Sequence, residues 1–330
     1  MFSVIANSAE QFNFDITEIN ITENGNKFIG NKRGKITTNN GIEIDADNFE
    51  YDKKLNKLKA DGSVKIVDEK NNYEITTKKI IYLKNDDIIF TEGESKATSS
   101  SNTIIIEAEN FEYDRTNNII NAKKNASIIN KNKNVKIYSE FFKYFLTQEK
   151  IYSQGKTSAI IQSKYNFKSE DVTFNKNSMN LSSEKKTTIT DNINLYSLNK
   201  FHYSIDKEEL KGENILISSN YIQPNNDKFY FDSAIINLKN RKFISKDVKI
   251  NVHKNIFDNS ENDPRIVGIS ATGNENIIKI NKASFTSCKK NQNCTPWSIN
   301  AKEIVHDKKK REIIYNNALL KIYDIPILYS

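Results

Sequence analysis

The feature that most constrains this chain is a repeat of 31 residues. The segments from Ile44 to Asp52 and from Ile106 to Asp114 are nearly identical and lie 62 positions apart. Weaker copies begin at Ile75, halfway between them, and at Ile137, one period further on. A fixed period of this length is typical of repeat architectures, in which each unit buries its apolar face against its neighbours.

Within one repeat, apolar and polar residues alternate. Ile42, Ile44 and Ala46 occupy even positions, and the pattern shifts phase at Asp47–Asn48 before Phe49 resumes it. Alternation of period two indicates β-strands, and a shift of phase predicts a β-bulge. Each repeat therefore predicts two strands of about ten residues joined by polar turns. Helical spacing is not sustained anywhere, so the predicted fold class is all-β.

The apolar positions that share one phase of the repeat are predicted to face the interior. From pattern alone, a sealed core filled by side chains is the favoured interpretation, and an open groove for an acyl chain is the alternative. The predicted interior-facing residues, which would contact lipid if the groove is open, are Ile44, Ala46, Phe49, Tyr51, Leu58, Ile75, Ile80, Tyr82, Ile89, Ile106, Phe111, Tyr113, Ile120, Ile137, Phe142 and Tyr144.

Composition excludes several classes of protein. Apolar residues make up 37% of the 330 positions and recur throughout, which argues against disorder, and no run of 18 apolar residues predicts a membrane-spanning helix. The net charge is +7, and the basic residues alternate with acidic ones along the chain, which predicts a solvated surface rather than a nucleic-acid site.

Residues with catalytic or metal-binding chemistry are sparse. The three histidines have no metal-ligand spacing, and phosphate loops and nucleophile elbows are absent. The acid pairs Asp86–Asp87 and Glu208–Glu209 fall in turn-like stretches and are expected to be solvated. We therefore expect no enzyme activity, no cofactor and no metal site.

The two ends suggest processing and continuation. Residues 1–9 are apolar and then small, which resembles the remnant of a signal peptide. The apolar run from Ile325 to Tyr329 has no polar stop, so the polypeptide is expected to continue past it. The predicted organisation is a lead-in over 10–40, one β domain over 41–325 and the start of a connection over 326–330.

Cys288 and Cys294 form the chain's one cysteine pair. A disulfide would close the short polar loop between them if the backbones approach to about 6 Å. A secreted protein favours that oxidised state, whereas a reducing compartment would leave two free thiols.

Two groups of segments resemble a known family. The repeated stretch over 44–66 resembles the OstA-like β-jellyroll of lipopolysaccharide (LPS) transport proteins. The segments Phe285–Ala301 and Tyr315–Tyr329 resemble the end of the periplasmic domain in the LptD family of LPS-assembly proteins.

The resemblance implies an elongated repeat β-jellyroll of twisted antiparallel strands on the periplasmic side of the outer membrane. Such a domain receives LPS from an LptA-like bridge protein at its N-terminal edge by β-augmentation. It shelters the lipid A acyl chains in its apolar interior and passes them to an outer-membrane barrel plugged by an LptE-like lipoprotein. The resemblance thus favours the open groove over the sealed core.

One departure and two alternatives stand beside this hypothesis. Family members link jellyroll and barrel through disulfides, and Cys288 matches the jellyroll cysteine, whereas barrel cysteines are absent from this sequence. The first alternative is a β-solenoid surface protein, such as an adhesin, whose core is sealed. The second is a free-standing, LptA-like bridge protein.

Overall fold

The structure is a computed structural model that describes residues 12–223, 226–253, 262–289 and 296–329. Over these residues the chain forms antiparallel strands and one 3-10 turn at Glu23–Gly25, which confirms the predicted all-β class. The predicted signal-peptide remnant and Cys294 lie outside the described residues. No helix in the described ranges is long and apolar enough to cross a membrane.

The chain divides into two compact units, residues 1–157 and 158–330. Unit 1 contains thirteen complete strands among its described residues, and a further strand, β14 (Lys156–Ile161), lies where the units divide. The strands of unit 1 are β1 (Asn13–Thr22), β2 (Lys27–Thr37), β3 (Ile42–Ala46), β4 (Asn48–Asp52), β5 (Lys57–Asp68), β6 (Tyr73–Leu83), β7 (Ile88–Glu92), β8 (Ser95–Ser99), β9 (Ile104–Ala108), β10 (Asn110–Asp114), β11 (Ile119–Asn130), β12 (Val135–Phe145) and β13 (Lys150–Ser153).

Long strands of unit 1 bend in the middle, so that one continuous sheet has two halves, here called sheets I and II. The first part of β5 pairs with β4 and its last part with β3, and the register shifts between Asp61 and Val64. Gly62 (φ 79°) and Ser63 (φ 47°) form this bulge, and Lys124 (φ 64°) with Asn125 (φ 48°) form its counterpart in β11. The phase shift predicted at Asp47 is the break between β3 and β4, opposite the bulge.

The two sheets of unit 1 face each other across the interior. Sheet I contains β3, β8, β9 and the last part of β5, and sheet II contains β4, β7, β10 and the first part of β5. Tyr73 lies in the part of β6 that joins sheet I, and its hydroxyl is 3.1 Å from that of Tyr144, in the part of β12 that pairs with β13. The sheets therefore meet as two walls of one apolar core.

Unit 2 repeats this geometry, with consecutive long strands from β21 to β27. Between Asn214 and Asn317 its pairing skips one or two central residues per strand, and Asn214, Asp247, Lys282 and Asn317 have φ between 44° and 51°. The strands are β15 (Tyr165–Glu170), β16 (Thr173–Asn175), β17 (Asn180–Ser183), β18 (Thr187–Thr190), β19 (Asn194–Leu198), β20 (Lys200–Ser204), β21 (Glu209–Ser219), β22 (Lys228–Asn237), β23 (Phe243–Asn251), β24 (Arg265–Gly273), β25 (Ile277–Thr286), β26 (Trp297–Asp307), β27 (Glu312–Ile322) and β28 (Ile325–Tyr329).

We expect Gly62→Ala to destabilise unit 1 more than Gly155→Ala. Both glycines occupy the same phase of the repeat and have positive φ, so each substitution carries a backbone cost of about 1–2 kcal/mol. A Cβ at Gly62 would lie 2.8 Å from the Cβ of Asp47, whereas one at Gly155 meets nothing within 4 Å. Urea denaturation should show the larger loss in the free energy of unfolding for Gly62→Ala. Equal losses would contradict the close approach of β5 to Asp47.

Candidate functional site

The sixteen residues predicted to face the interior are all buried in unit 1. Tyr51 is the most exposed of them, at 8%. They fill the space between sheets I and II, as the period-two pattern requires. Their contact with lipid stays a prediction, because burial is equally the property of a packed core.

The strand ends of sheets I and II meet opposite the bends, along a line here called the seam. Buried polar groups join the two sheets there. Arg115, 3% exposed, donates from Nε to Asp68 at 2.9 Å and from Nη1 to both carboxylate oxygens of Asp87 at 2.9 Å. Its Nη2 donates to the carbonyl of Asn40 at 3.0 Å. Asp68 and Asn40 lie at the end of sheet I, and Asp87 and Arg115 at the end of sheet II. We call these four residues the Arg115 clasp.

The electrostatics of the clasp favour its charged form. Burial alone would raise the pKa of Asp68, but hydrogen bonds from Arg115, Tyr113 and Asn71 outweigh burial and hold that pKa below its ordinary value. The hydroxyl of Tyr113 donates to Asp68, and burial together with this carboxylate raises the pKa of Tyr113. The seam is thus held by an ion pair whose partners are all hydrogen-bonded.

Unit 2 has a cleft where unit 1 has a clasp. The cleft measures about 370 Å³, within the roughly 300–1,000 Å³ of small-molecule sites. Its lining combines apolar side chains, most of them from strands, with polar side chains at the strand ends and in the turns. The apolar part is formed by Ile193, Tyr196, Ile217, Phe229, Phe231, Ile236, Phe243 and Ile278.

Aromatic rings form much of the apolar part. Phe231 lies between Phe229 and Phe243, with ring centroids 6.5 Å and 5.2 Å away. The hydroxyl of Tyr196 accepts a hydrogen bond from Asn194 at 3.2 Å, and burial raises its pKa, so the phenol stays neutral. These groups present an uncharged surface suited to a hydrocarbon chain.

Cations line the rim of the cleft. Arg241, Lys308 and Lys309 lie in the turns β22–β23 and β26–β27, beside Glu275 in the turn β24–β25. Arg241 is ion-paired with Glu275. Burial would lower the pKa of Arg241, but the hydrogen bond to Glu275 outweighs it and raises that pKa. The cleft thus joins an apolar floor to a rim with three cations and one carboxylate, an excess of positive charge that suits an amphiphile with an anionic headgroup.

Among the described residues of this rim, the ion pair between Lys308 and Asp227 crosses the seam of unit 2. The Nζ of Lys308 lies 2.8 Å from Oδ2 of Asp227 and 4.7 Å from the ring centroid of Phe229. Asp227 directly precedes β22 on one wall, and Lys308 directly follows β26 on the other.

A second groove, of about 510 Å³, lies on the outward face of unit 2. Its lining includes Ile235 and Ile244, which are 39% and 56% exposed. The groove runs between rows of outward-facing side chains, so it lacks the second wall that encloses the cleft.

Sequence reasoning missed the residues of both seams. Asp87 and Glu208 were expected to be solvated, and this prediction is wrong. The side chain of Asp87 is 25% exposed and binds Arg115, and that of Glu208 is 15% exposed and accepts a hydrogen bond from Tyr165 at 2.8 Å. One signal was available, because the chain has only five arginines among its 49 basic residues, and Arg115 and Arg241 both lie at seams.

Cys288 is half-buried. Its N–H donates to the Thr286 hydroxyl at 3.2 Å, and its Sγ lies 3.7 Å from the carbonyl oxygen of Trp297. The pairing with Cys294 stays a prediction, since Cys294 lies outside the described residues.

We expect Arg115→Met to destabilise unit 1 by about 3–5 kcal/mol, because it leaves the Asp68 carboxylate buried without its cation. The control is Arg33→Met, which removes the exposed pairs with Asp45 and Asp47 and should cost less than about 1 kcal/mol. Urea denaturation of both variants measures the difference. Similar small losses would show that the clasp is not a stabilising contact.

The depressed pKa of Asp68 also predicts acid sensitivity. Its contribution to stability is complete above the pKa of an unfolded aspartate, about 3.9, and is lost as the pH falls through the lower, folded value. The melting temperature of the wild type should therefore fall more steeply below about pH 4 than that of Asp68→Asn, whose side chain does not titrate. Parallel pH profiles would contradict this assignment.

Comparisons with known proteins add little. No family model matches the chain, and no curated protein matches it. One similar solved structure is the crystal structure of LptH, described as the LptA-homologous periplasmic component of the lipopolysaccharide transport device of Pseudomonas aeruginosa. It is 16% identical, and the match covers 41% of this chain and 75% of that chain with a TM-score of 0.19. A likeness of this size carries no argument about fold or function.

Proposed function

We propose that this chain is a lipid-transport β-jellyroll that shelters the acyl chains of lipopolysaccharide between its two walls. The observation that carries the proposal is the cleft of unit 2, whose aromatic floor and cationic rim match the two ends of lipid A. The repeat and the segments around Cys288 and Tyr329, which resemble the LptD family, support it from the sequence.

The proposal includes a place in the cell and a set of partners. The chain acts on the periplasmic side of the outer membrane. It receives lipid from an LptA-like protein at its N-terminal edge and passes it to an outer-membrane barrel that binds an LptE-like lipoprotein. In this role it catalyses no covalent reaction, so the only chemistry required is the burial of acyl chains and the pairing of phosphates with cations.

One observation favours the structural alternative for unit 1. The Arg115 clasp joins its two walls, and the sixteen interior residues are packed as in a solenoid core. A β-solenoid whose repeat is purely structural would have this interior. The experiment that tests the proposal must therefore report on the two units separately.

We expect photocrosslinking to place lipopolysaccharide in the cleft. A benzoylphenylalanine at Phe229 should form adducts with purified lipopolysaccharide, because its ring lies in the apolar floor. The same probe at Ile244 reports on the second, outward groove, where the proposed function expects no adduct. Adducts are detected as a mass shift on denaturing gels probed for lipopolysaccharide.

A probe at Phe111 extends the test to unit 1. Labelling there supports a lipid path through the predicted interior, and labelling at Phe229 alone limits the function to the cleft. Labelling at Ile244 without labelling at Phe229 would contradict the proposed function and favour a structural role.

A further inference from the structure

The ion pair between Lys308 and Asp227 differs from the Arg115 clasp in its burial. The side chains of Lys308 and Asp227 are 24% and 17% exposed, whereas those of Arg115 and Asp68 are 2% and 1% exposed. A partly solvated ammonium on a flexible stem exchanges partners at lower cost than a buried guanidinium fork does. At this rim the two walls of unit 2 are therefore joined by the more exchangeable of the two contacts.

Asp227 is fixed by a second contact, and Lys308 is the longer and more flexible partner. Oδ1 of Asp227 accepts a hydrogen bond from the backbone N–H of His253 at 3.0 Å, while Oδ2 faces Lys308. The Lys308 ammonium also lies over the ring of Phe229, on the floor of the cleft. It is thus placed between a carboxylate across the seam and the space that an amphiphile would fill.

The other rim cation with a tight partner behaves differently. Arg241 pairs with Glu275, and both lie in turns at the same wall, so this pair does not cross the seam. Breaking this pair would therefore not alter the contact between the two walls. Lys308 is the rim cation whose partner lies on the opposite wall.

We propose that Lys308 is an exchangeable headgroup ligand: it pairs with Asp227 when the cleft is empty and with the phosphate of an anionic amphiphile when the cleft is filled. The proposal rests on the proposed function and deepens it by naming the recognised group. The same exchange breaks the ion pair between Asp227 and Lys308, so recognition of the headgroup and loss of this contact between the walls are one event.

The test compares two amphiphiles of equal chain length, decyl phosphate and decyl glucoside, by titration calorimetry below their critical micelle concentrations. Lys308→Gln should lower the affinity for decyl phosphate roughly tenfold, the size of one charged hydrogen bond. The affinity for decyl glucoside should change little. Asp227→Asn should strengthen decyl phosphate about threefold, because it removes the competing carboxylate but keeps an oxygen for His253 N–H.

Controls separate the outcomes. Lys242→Gln, in the same turn as Arg241 but exposed, should leave both affinities unchanged, and Lys308→Arg should keep the preference for phosphate if Lys308→Gln fails to fold. If Lys308→Gln and Asp227→Asn change the affinity for decyl phosphate in the same direction, the exchange is overturned and the ion pair is purely structural. Failure of the wild type to bind either amphiphile would instead overturn the proposed function, and the exchange with it.

Discussion

The two-walled interior depends on left-handed residues in the middle of the long strands. Gly62 and Ser63 bend β5, and Asn214 bends β21, so that the second half of each strand leaves the plane of its first half. A non-glycine residue in this conformation costs about 1–2 kcal/mol, so each bend persists only because antiparallel pairing on both sides of it is retained. One bent strand then supplies both walls, and the alternation of its side chains fills the space between them.

In each unit the bent sheet brings its strand ends together opposite the bend. The two units join these strand ends with different ion pairs. Arg115 holds two carboxylates and a carbonyl at once, which its planar fork permits and an ammonium does not. Lys308 makes one ion pair and stays partly solvated. The difference makes unit 1 a stably closed body and gives unit 2 an edge whose contact competes with water and with ligands.

The sequence predicted the all-β class and, within the repeat, the inward side of the strands, because both follow from local alternation. Ile44, Phe111 and Tyr144 lie where the pattern placed them. The seams were not predictable in this way. Asp68 and Arg115 are 47 positions apart and each reads locally as a turn residue, and the bends at Lys124 and Asn214 lack the glycine that marks Gly62. Contacts between walls depend on where strands bend, which alternation does not encode.

The antiparallel order of β21 to β27 has a kinetic consequence. Each of these strands pairs with its neighbour along the chain, so sheet growth requires only short loops to close and can proceed strand by strand. The contact from Asp227 to Lys308 spans 81 positions and can form only after the intervening strands have bent into place. This contact therefore follows the pairing of those strands, and its rupture requires no loss of the hydrogen bonds between them.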